Sequence, residues 1–122
     1  MYYTRLYTDE HGQSHFADIE IDLTLTEYAP PAPPLSLSSF SPATQFGFMN
    51  APVGWSSDWH PTSARNVFFV VTGEWEVIVS DGESRRFAAG SVLLVEDTTG
   101  KGHSSRVVSQ TDSLAAMVQL KD

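Results

Sequence analysis

The sequence predicts an all-β domain, either a sandwich or a closed barrel built from many short strands. Through the second half of the chain, turn residues recur about every 8–12 residues, and the runs between them are apolar or alternate between apolar and polar. No stretch of a dozen residues keeps the apolar spacing of a helix without Gly or Pro. The chain has 122 residues, of which 41% are hydrophobic, which suffices for one core. We therefore expect a single domain over residues 1–122.

The N-terminal residues predict a β-hairpin. Residues 2–8 and 15–25 have strand character, and the segment from Asp9 to Gly12 between them consists of turn formers. In the second arm, apolar residues alternate with mostly acidic ones, which predicts one apolar face and one acidic face. An isolated two-stranded hairpin is marginal in water. We therefore expect residues 2–25 to pair with the main sheet, across a dimer.

A proline-rich segment separates this hairpin from the rest of the chain. Residues 29–34 read Ala-Pro-Pro-Ala-Pro-Pro, and so many prolines favour an extended polyproline conformation that cannot join a ladder. The sequence therefore divides into N-terminal strands over residues 1–28, a stiff connector over 29–34 and a barrel over 35–122.

The second half of the chain predicts a dense succession of strands. An Asp-Gly pair at positions 81 and 82 is typical of a tight hairpin turn. Apolar or alternating runs that fit strands cover residues 66–72, 75–79, 91–95, 106–109 and 114–120.

Composition excludes several classes of function. The net charge is −8 and the pI is about 4.7, which disfavours binding to nucleic acid and to anionic membrane surfaces. The absence of cysteine excludes disulfides, zinc fingers and thiolate chemistry. The first residues contain no apolar signal segment, and no apolar run approaches the length of a bilayer. We expect a cytoplasmic protein.

One stretch of the sequence carries a recognisable motif. Gly54 is followed by His60, Thr62 and Asn66, and Gly73 closes the stretch. This pattern resembles the first motif of the cupin superfamily, which has two histidines and a glutamate between its glycines. In this chain Thr62 stands at the position of the second histidine and Asn66 at the position of the glutamate, so the metal-ligand motif is incomplete.

A second stretch resembles the second cupin motif. Gly90 and His103 match its opening glycine and its histidine, with two extra residues in the loop between them. The resemblance implies a cupin-type double-stranded β-helix, or jelly-roll barrel, preceded by an N-terminal strand arm. It also implies a homodimer, because cupins commonly pair through such arms.

Strand geometry gives these residues a common direction. Residues of equal parity on a strand face the same side, so His60, Thr62, Asn66 and Phe68 are expected to point into one cavity. His103 lies far away in sequence and can join them only if the sheet closes.

The candidate catalytic residues are therefore His60, His103, Thr62 and Asn66. A histidine in an apolar cavity can act as a general base, and the two neutral polar groups can bind a carbonyl or enolate oxygen. This set favours an isomerase, cyclase or lyase acting on a small, apolar, oxygen-bearing molecule. A non-catalytic protein that binds a small ligand remains an alternative. The expected substrate-binding side chains are Phe48, Trp59, Phe68 and Met117.

A metal-dependent, iron-type dioxygenase is the second alternative. His60 and His103 supply two imidazoles, to which Asp58 or His15 could add a third ligand for Fe, Zn, Ni or Mn. Two of the four family ligands are replaced by neutral groups, so we expect no tightly bound metal.

Overall fold

The computed structural model describes residues 1–122 and contains eleven strands and no helix. In chain order the strands are β1 Tyr2–Thr8, β2 Ser14–Glu20, β3 Thr24–Thr26, β4 Leu35–Leu37, β5 Ala43–Ala51, β6 Asn66–Val70, β7 Glu74–Val79, β8 Ser84–Ala88, β9 Val92–Val95, β10 His103–Val107 and β11 Ser113–Leu120. The predicted all-β class is confirmed. None of the elements is a helix that could cross a membrane.

Two sheets enclose the core. The larger has six strands in the order β2-β1-β9-β6-β11-β5, and the smaller has three in the order β10-β7-β8. Leu6 and Leu93 from the larger sheet join Trp75, Val77 and Phe87 from the smaller one in a single buried cluster. Burial of these side chains between the sheets is the main favourable contribution to folding.

The N-terminal hairpin is part of this core. β1 pairs with β2, and on its other edge it pairs in parallel with β9 of the same chain. Leu6 is completely buried. The predicted pairing of the hairpin with the main sheet is confirmed within the chain. The faces of β2 also differ from the prediction, since Phe16, on the otherwise acidic face, is buried with its ring centroid 5.9 Å from that of Phe87.

The proline-rich segment forms a turn rather than an extended connector. The N–H of Ala32 donates to the carbonyl of Ala29 at 2.9 Å, and β3 and β4 on either side pair antiparallel. The fixed backbone angle of proline suits a turn as well as a polyproline helix, and the pairing of β3 with β4 decides between them.

Candidate functional site

A small cavity lies between the two sheets. Its volume is about 80 Å³, well below the ~300–1,000 Å³ of sites for drug-sized ligands. Nine of its eleven lining residues are hydrophobic, and the polar ones are His103 and Ser105. The full lining comprises Met49, Phe68, Val70, Trp75, Val77, Phe87, Leu93, Val95, His103, Ser105 and Ala115.

Trp75, in the cavity wall, already has a hydrogen-bond acceptor for its indole N–H within the protein. The Nε1–H of Trp75 donates to the hydroxyl of Ser113 at 2.7 Å, and that hydroxyl donates to the carbonyl of Thr72 at 2.8 Å. The indole therefore needs no hydrogen bond from a ligand. His103 and Ser105 are left as the groups that can orient a bound molecule.

A buried carboxylate supports His103. Asp97 is completely buried, and its Oδ2 lies 2.6 Å from Nδ1 of His103. Because a carboxylate oxygen accepts, this contact places a proton on Nδ1 and leaves Nε2 of a neutral imidazole with its lone pair. The other oxygen of Asp97 is buried without a hydrogen-bond partner. Such a group costs stability and is typical of functional sites.

The two motif histidines meet. His60 and His103 form an antiparallel bridge with two backbone hydrogen bonds of 3.0 Å, and their ring centroids are 4.9 Å apart. This confirms the predicted approach of the two imidazoles. The rings differ in environment, however, because His103 is buried whereas His60 is exposed. Nδ1 of His60 donates to the carbonyl of Asp58 at 2.8 Å.

Thr62 and Asn66 do not line the cavity. No strand continues from His60 to Asn66, so the shared parity of the prediction does not hold across this segment. The hydroxyl of Thr62 donates to the carbonyl of Ala64 at 2.8 Å, and the Asn66 amide donates to the same carbonyl at 3.2 Å. Both side chains stabilise the loop that precedes β6.

Of the four expected substrate-binding side chains, only Phe68 lines the cavity. Met117 on β11 pairs with Phe68, which faces the cavity, so Met117 lies on the inner face of the larger sheet. Its neighbour Ala116 therefore lies on the outer face, and so does Phe48, which pairs with Ala116. Trp59 is half exposed in the loop before His60. Met117 is partly buried beside Asn66 in a separate, more open depression.

The side chains present do not fit a first-row metal. Two imidazoles come together, but the structure assembles no group of three or more His, Asp or Glu side chains that could hold an ion. Asp58 contributes a backbone carbonyl to the ring of His60, and Asp97 already occupies Nδ1 of His103. His15, the other expected ligand, has both ring nitrogens within hydrogen-bonding distance of carboxylates.

His15 instead links two hairpins electrostatically. Its Nε2 lies 2.6 Å from Asp9 and its Nδ1 lies 2.8 Å from Asp81, in the turn between β7 and β8. The bond to Asp9, followed by the bond to Asp81, raises the pKa of His15 above 6.5. The bond to His15 is also the largest cause that lowers the pKa of Asp9 from 3.8 to about 2.

These shifts define a pH range for the link. The contribution of His15 is fully present below its unfolded pKa of 6.5 and is lost as the pH rises through its higher folded pKa. The contribution of Asp9 is present above 3.8 and is lost as the pH falls toward about 2. The link therefore stabilises the fold most between these limits.

Sequence reasoning missed the role of two residues. Ser105 lines the cavity but gives no signal in the sequence, because serine is common in loops and at strand ends. Asp97 is not among the predicted site residues, although it lies only six residues before His103, and the fold of the loop between them brings its carboxylate to the imidazole. The unusual length of that loop was the available signal.

Comparison with known proteins supports the fold and no specific activity. No family model and no curated protein matches this chain. Among solved structures, the cupin domain of Cnp3 from Schizosaccharomyces pombe aligns with a TM-score of 0.55 and 14% identity, covering 89% of this chain and 73% of that one. A Cupin 2 conserved barrel domain protein from Salinispora arenicola aligns with a TM-score of 0.52 and 18% identity, covering 83% and 76%.

A cupin superfamily protein from Desulfitobacterium hafniense also aligns, with a TM-score of 0.50 and 14% identity, covering 81% of this chain and 99% of that one. Together with the two sheets and the paired motif histidines, these similarities define the class: the chain has the cupin fold.

Proposed function

We propose that this chain is an acid/base catalyst of the isomerase, cyclase or lyase type, acting on a small molecule inside the barrel. The observation that carries the proposal is the buried pair of Asp97 and His103, joined at 2.6 Å, at the wall of an otherwise apolar cavity. A catalytic dyad needs an imidazole with one nitrogen held by a carboxylate and the other free for the substrate, and this pair supplies both.

The reaction follows from the positions of these groups. Nε2 of His103 removes a proton from an acidic C–H or O–H of the substrate, and the carboxylate of Asp97 stabilises the imidazolium that forms. The hydroxyl of Ser105 donates to the oxygen on which negative charge develops. The proton then returns to a different atom in an isomerisation, or to a leaving group in an elimination.

His60 has a different part in this proposal. Its ring lies 4.9 Å from that of His103 but is exposed, so it connects the buried imidazole with solvent. It exchanges protons between His103 and water after each turnover.

The volume of the cavity restricts the substrate. About 80 Å³ admits a molecule of few heavy atoms, or the reacting end of a longer one. The largely apolar lining favours a second candidate function, a binding protein that holds a small apolar ligand without changing it. The dioxygenase alternative lacks a third ligand and receives no such support.

The test uses deuterium exchange, because proton abstraction is detectable before the natural substrate is known. Small ketones, aldehydes and enols are incubated with the protein in D₂O, and deuterium incorporation at acidic carbons is followed by NMR. We expect exchange with the wild type, loss with His103→Gln and reduction with Asp97→Asn. His11→Gln, which changes an exposed histidine that does not line the cavity, is the matched control and should retain exchange.

Two other results would change the assignment. Compounds that bind in the cavity without exchanging protons would favour the binding protein. Exchange that persists in His103→Gln would show that the dyad is not the base.

A further inference from the structure

The inner face of the six-stranded sheet extends beyond the cavity. Strand register sets three successive rows of inward-facing residues across β5, β11 and β6. Along each strand, consecutive inward positions are about 7 Å apart. The first row is Met49, Ala115 and Val70, the second is Gly47, Met117 and Phe68, and the third is Gln45, Gln119 and Asn66. The first row lines the cavity, and the face changes from apolar to polar at the third.

An open depression occupies the polar end of this face. The three amide side chains of the third row line it together with Gly47 and Met117 of the second row, whereas Phe68 of the second row lines the cavity. The depression and the cavity therefore adjoin at the second row. The volume of the depression is about 260 Å³, against about 80 Å³ for the cavity. Neither reaches the ~300–1,000 Å³ of typical ligand sites, but the two together do.

Gly47 keeps the depression open. It lies in the middle of β5, and a Cβ added there would meet nothing within 4 Å, so the space in front of it is empty of protein. Its φ is not among the positive ones, so the backbone does not require glycine at this position. Glycine inside a strand weakens the strand and is typical of places that a ligand approaches closely.

The amides of the third row offer hydrogen bonds that the protein does not use. Nε2 of Gln45 donates to Oε1 of Gln119 at 2.9 Å, which leaves Oε1 of Gln45 as an acceptor and Nε2 of Gln119 as a donor. Asn66 is only 8% exposed, and its Nδ2 donates within the loop before β6, but its Oδ1 accepts no hydrogen bond from the protein. The only fully enclosed polar side-chain atom without a partner is Oδ1 of Asp97, so Oδ1 of Asn66 is reachable from the depression.

These unused groups define the chemistry of a ligand. They comprise two acceptors and a donor, and no charged residue lines the depression. A charged group would lose hydration here without a counter-charge to replace it. A hydroxyl group is neutral and both donates and accepts hydrogen bonds, so it matches this set.

We infer that the depression binds the neutral, hydroxyl-bearing tail of a substrate whose reacting end lies in the cavity. This inference rests on the proposed function, because the dyad at His103 defines which end reacts. The tail passes Met117 in the second row, and the flexible thioether side chain of methionine adapts to the chain beside it. The three amides then select a hydroxylated tail over an apolar one.

The test compares the binding of two ketones of equal size. One is methyl hexyl ketone, and in the other a hydroxyl replaces its terminal methyl group. The hexyl chain spans about 7 Å, one step between inner rows. Each ketone is titrated into isotope-labelled protein and its Kd is measured by NMR, with butanone as the probe of the cavity alone. We expect the hydroxylated ketone to bind about three- to tenfold more tightly, the range for one net hydrogen bond.

Variants locate the binding of the tail. Gln45→Leu and Gln119→Leu should each remove the preference for the hydroxylated ketone. Gly47→Val fills the open space and should weaken both long ketones by about tenfold, because methylenes stay unburied, while butanone binds unchanged. Gly47→Ala replaces it if circular dichroism shows that the valine variant is unfolded. Gln110→Leu is the matched control, since Gln110 is exposed in the turn between β10 and β11, and it should keep the wild-type preference.

Equal affinities of the two long ketones for the wild type, or no binding of either, would overturn the inference. A preference that persists in both glutamine variants would do the same, and so would long ketones that bind Gly47→Val as tightly as the wild type. Binding is measured without turnover, so these results are independent of the acid/base chemistry. A clear preference without any deuterium exchange would refute His103 as the base and retain the site for the tail.

Discussion

Gly102 controls how closely the two histidines of the site approach. A Cβ added at this position would lie 2.1 Å from the carbonyl carbon and oxygen of His60, a distance that real Cβ atoms do not tolerate. Its φ is +74°, which is itself unfavourable for a side chain. Gly82 has a similar requirement, with a φ of +99°, but a Cβ there would meet nothing within 4 Å. Comparing the two glycines thus separates the cost of the steric clash with His60 from the cost of a positive φ.

The magnitude follows from these two terms. A left-handed backbone costs a residue with a side chain about 1–2 kcal/mol, and this cost applies to both Gly82→Ala and Gly102→Ala. Forcing an extra methyl into a packed position adds about 1–3 kcal/mol, and this cost applies only to Gly102→Ala. Any entropy lost by the unfolded chain on replacing Gly by Ala is common to both. We expect the Gly102 variant to lose about 1–3 kcal/mol more than the Gly82 variant.

Urea denaturation at 25 °C measures both losses under the same conditions. Hydrogen exchange at the amides of His60 and His103 then locates the damage, because their mutual hydrogen bonds of 3.0 Å must lengthen when His60 moves away. Equal losses of stability in the two variants, or unchanged exchange at these amides, would refute the steric argument.

Three further predictions concern the N-terminal hairpin and the metal. The melting temperature should fall as the pH rises from about 6 to 8, and His15→Gln should flatten this dependence, because the link to Asp9 and Asp81 requires a protonated imidazole; an unchanged slope would contradict the link. Leu6→Ala should cost about 2–5 kcal/mol in urea denaturation, since Leu6 is completely buried, whereas Tyr2→Ala on the same strand should cost less than about 1. Equal costs would show that the hairpin is not part of the core. A chelator should leave the melting temperature nearly unchanged, because no third ligand joins the two histidines of the site; a drop of more than about 10 °C would indicate a tightly bound metal.

The alternation of apolar and polar residues correctly predicted strands that have one face in the core and the other face exposed along their whole length. β7 alternates strictly between buried and partly exposed residues, as its sequence indicates, and the Asp-Gly pair after it forms the expected turn into β8. The predicted structure was less accurate where the backbone preferences of the residues allow two conformations. Residues 29–34 form a turn because β3 and β4 pair on either side, and proline by itself is compatible with either structure.

The candidate site shows the same division. The resemblance of two stretches to the cupin motifs implied that His60 and His103 meet, and their rings do lie together. The parity argument that grouped Thr62 and Asn66 with His60 assumed a continuous strand, and the intervening loop breaks it. Phe48 was expected to bind substrate, but the strand register directs its side chain to the outer face of the sheet.

The sequence by itself determined the all-β class and the positions of most strands, because these depend on short-range periodicity. Its two motifs also determined, through their resemblance to those of cupins, that two histidines meet in one place. Only the tertiary structure decided which polar groups serve the cavity, since Asp97 and Ser105 reach it through the folding of a loop and the register of β10. It also decided which apolar residues are buried. Phe46 and Phe68 are equally hydrophobic, and only the pairing of their strands with β11 places one outside and the other at the cavity.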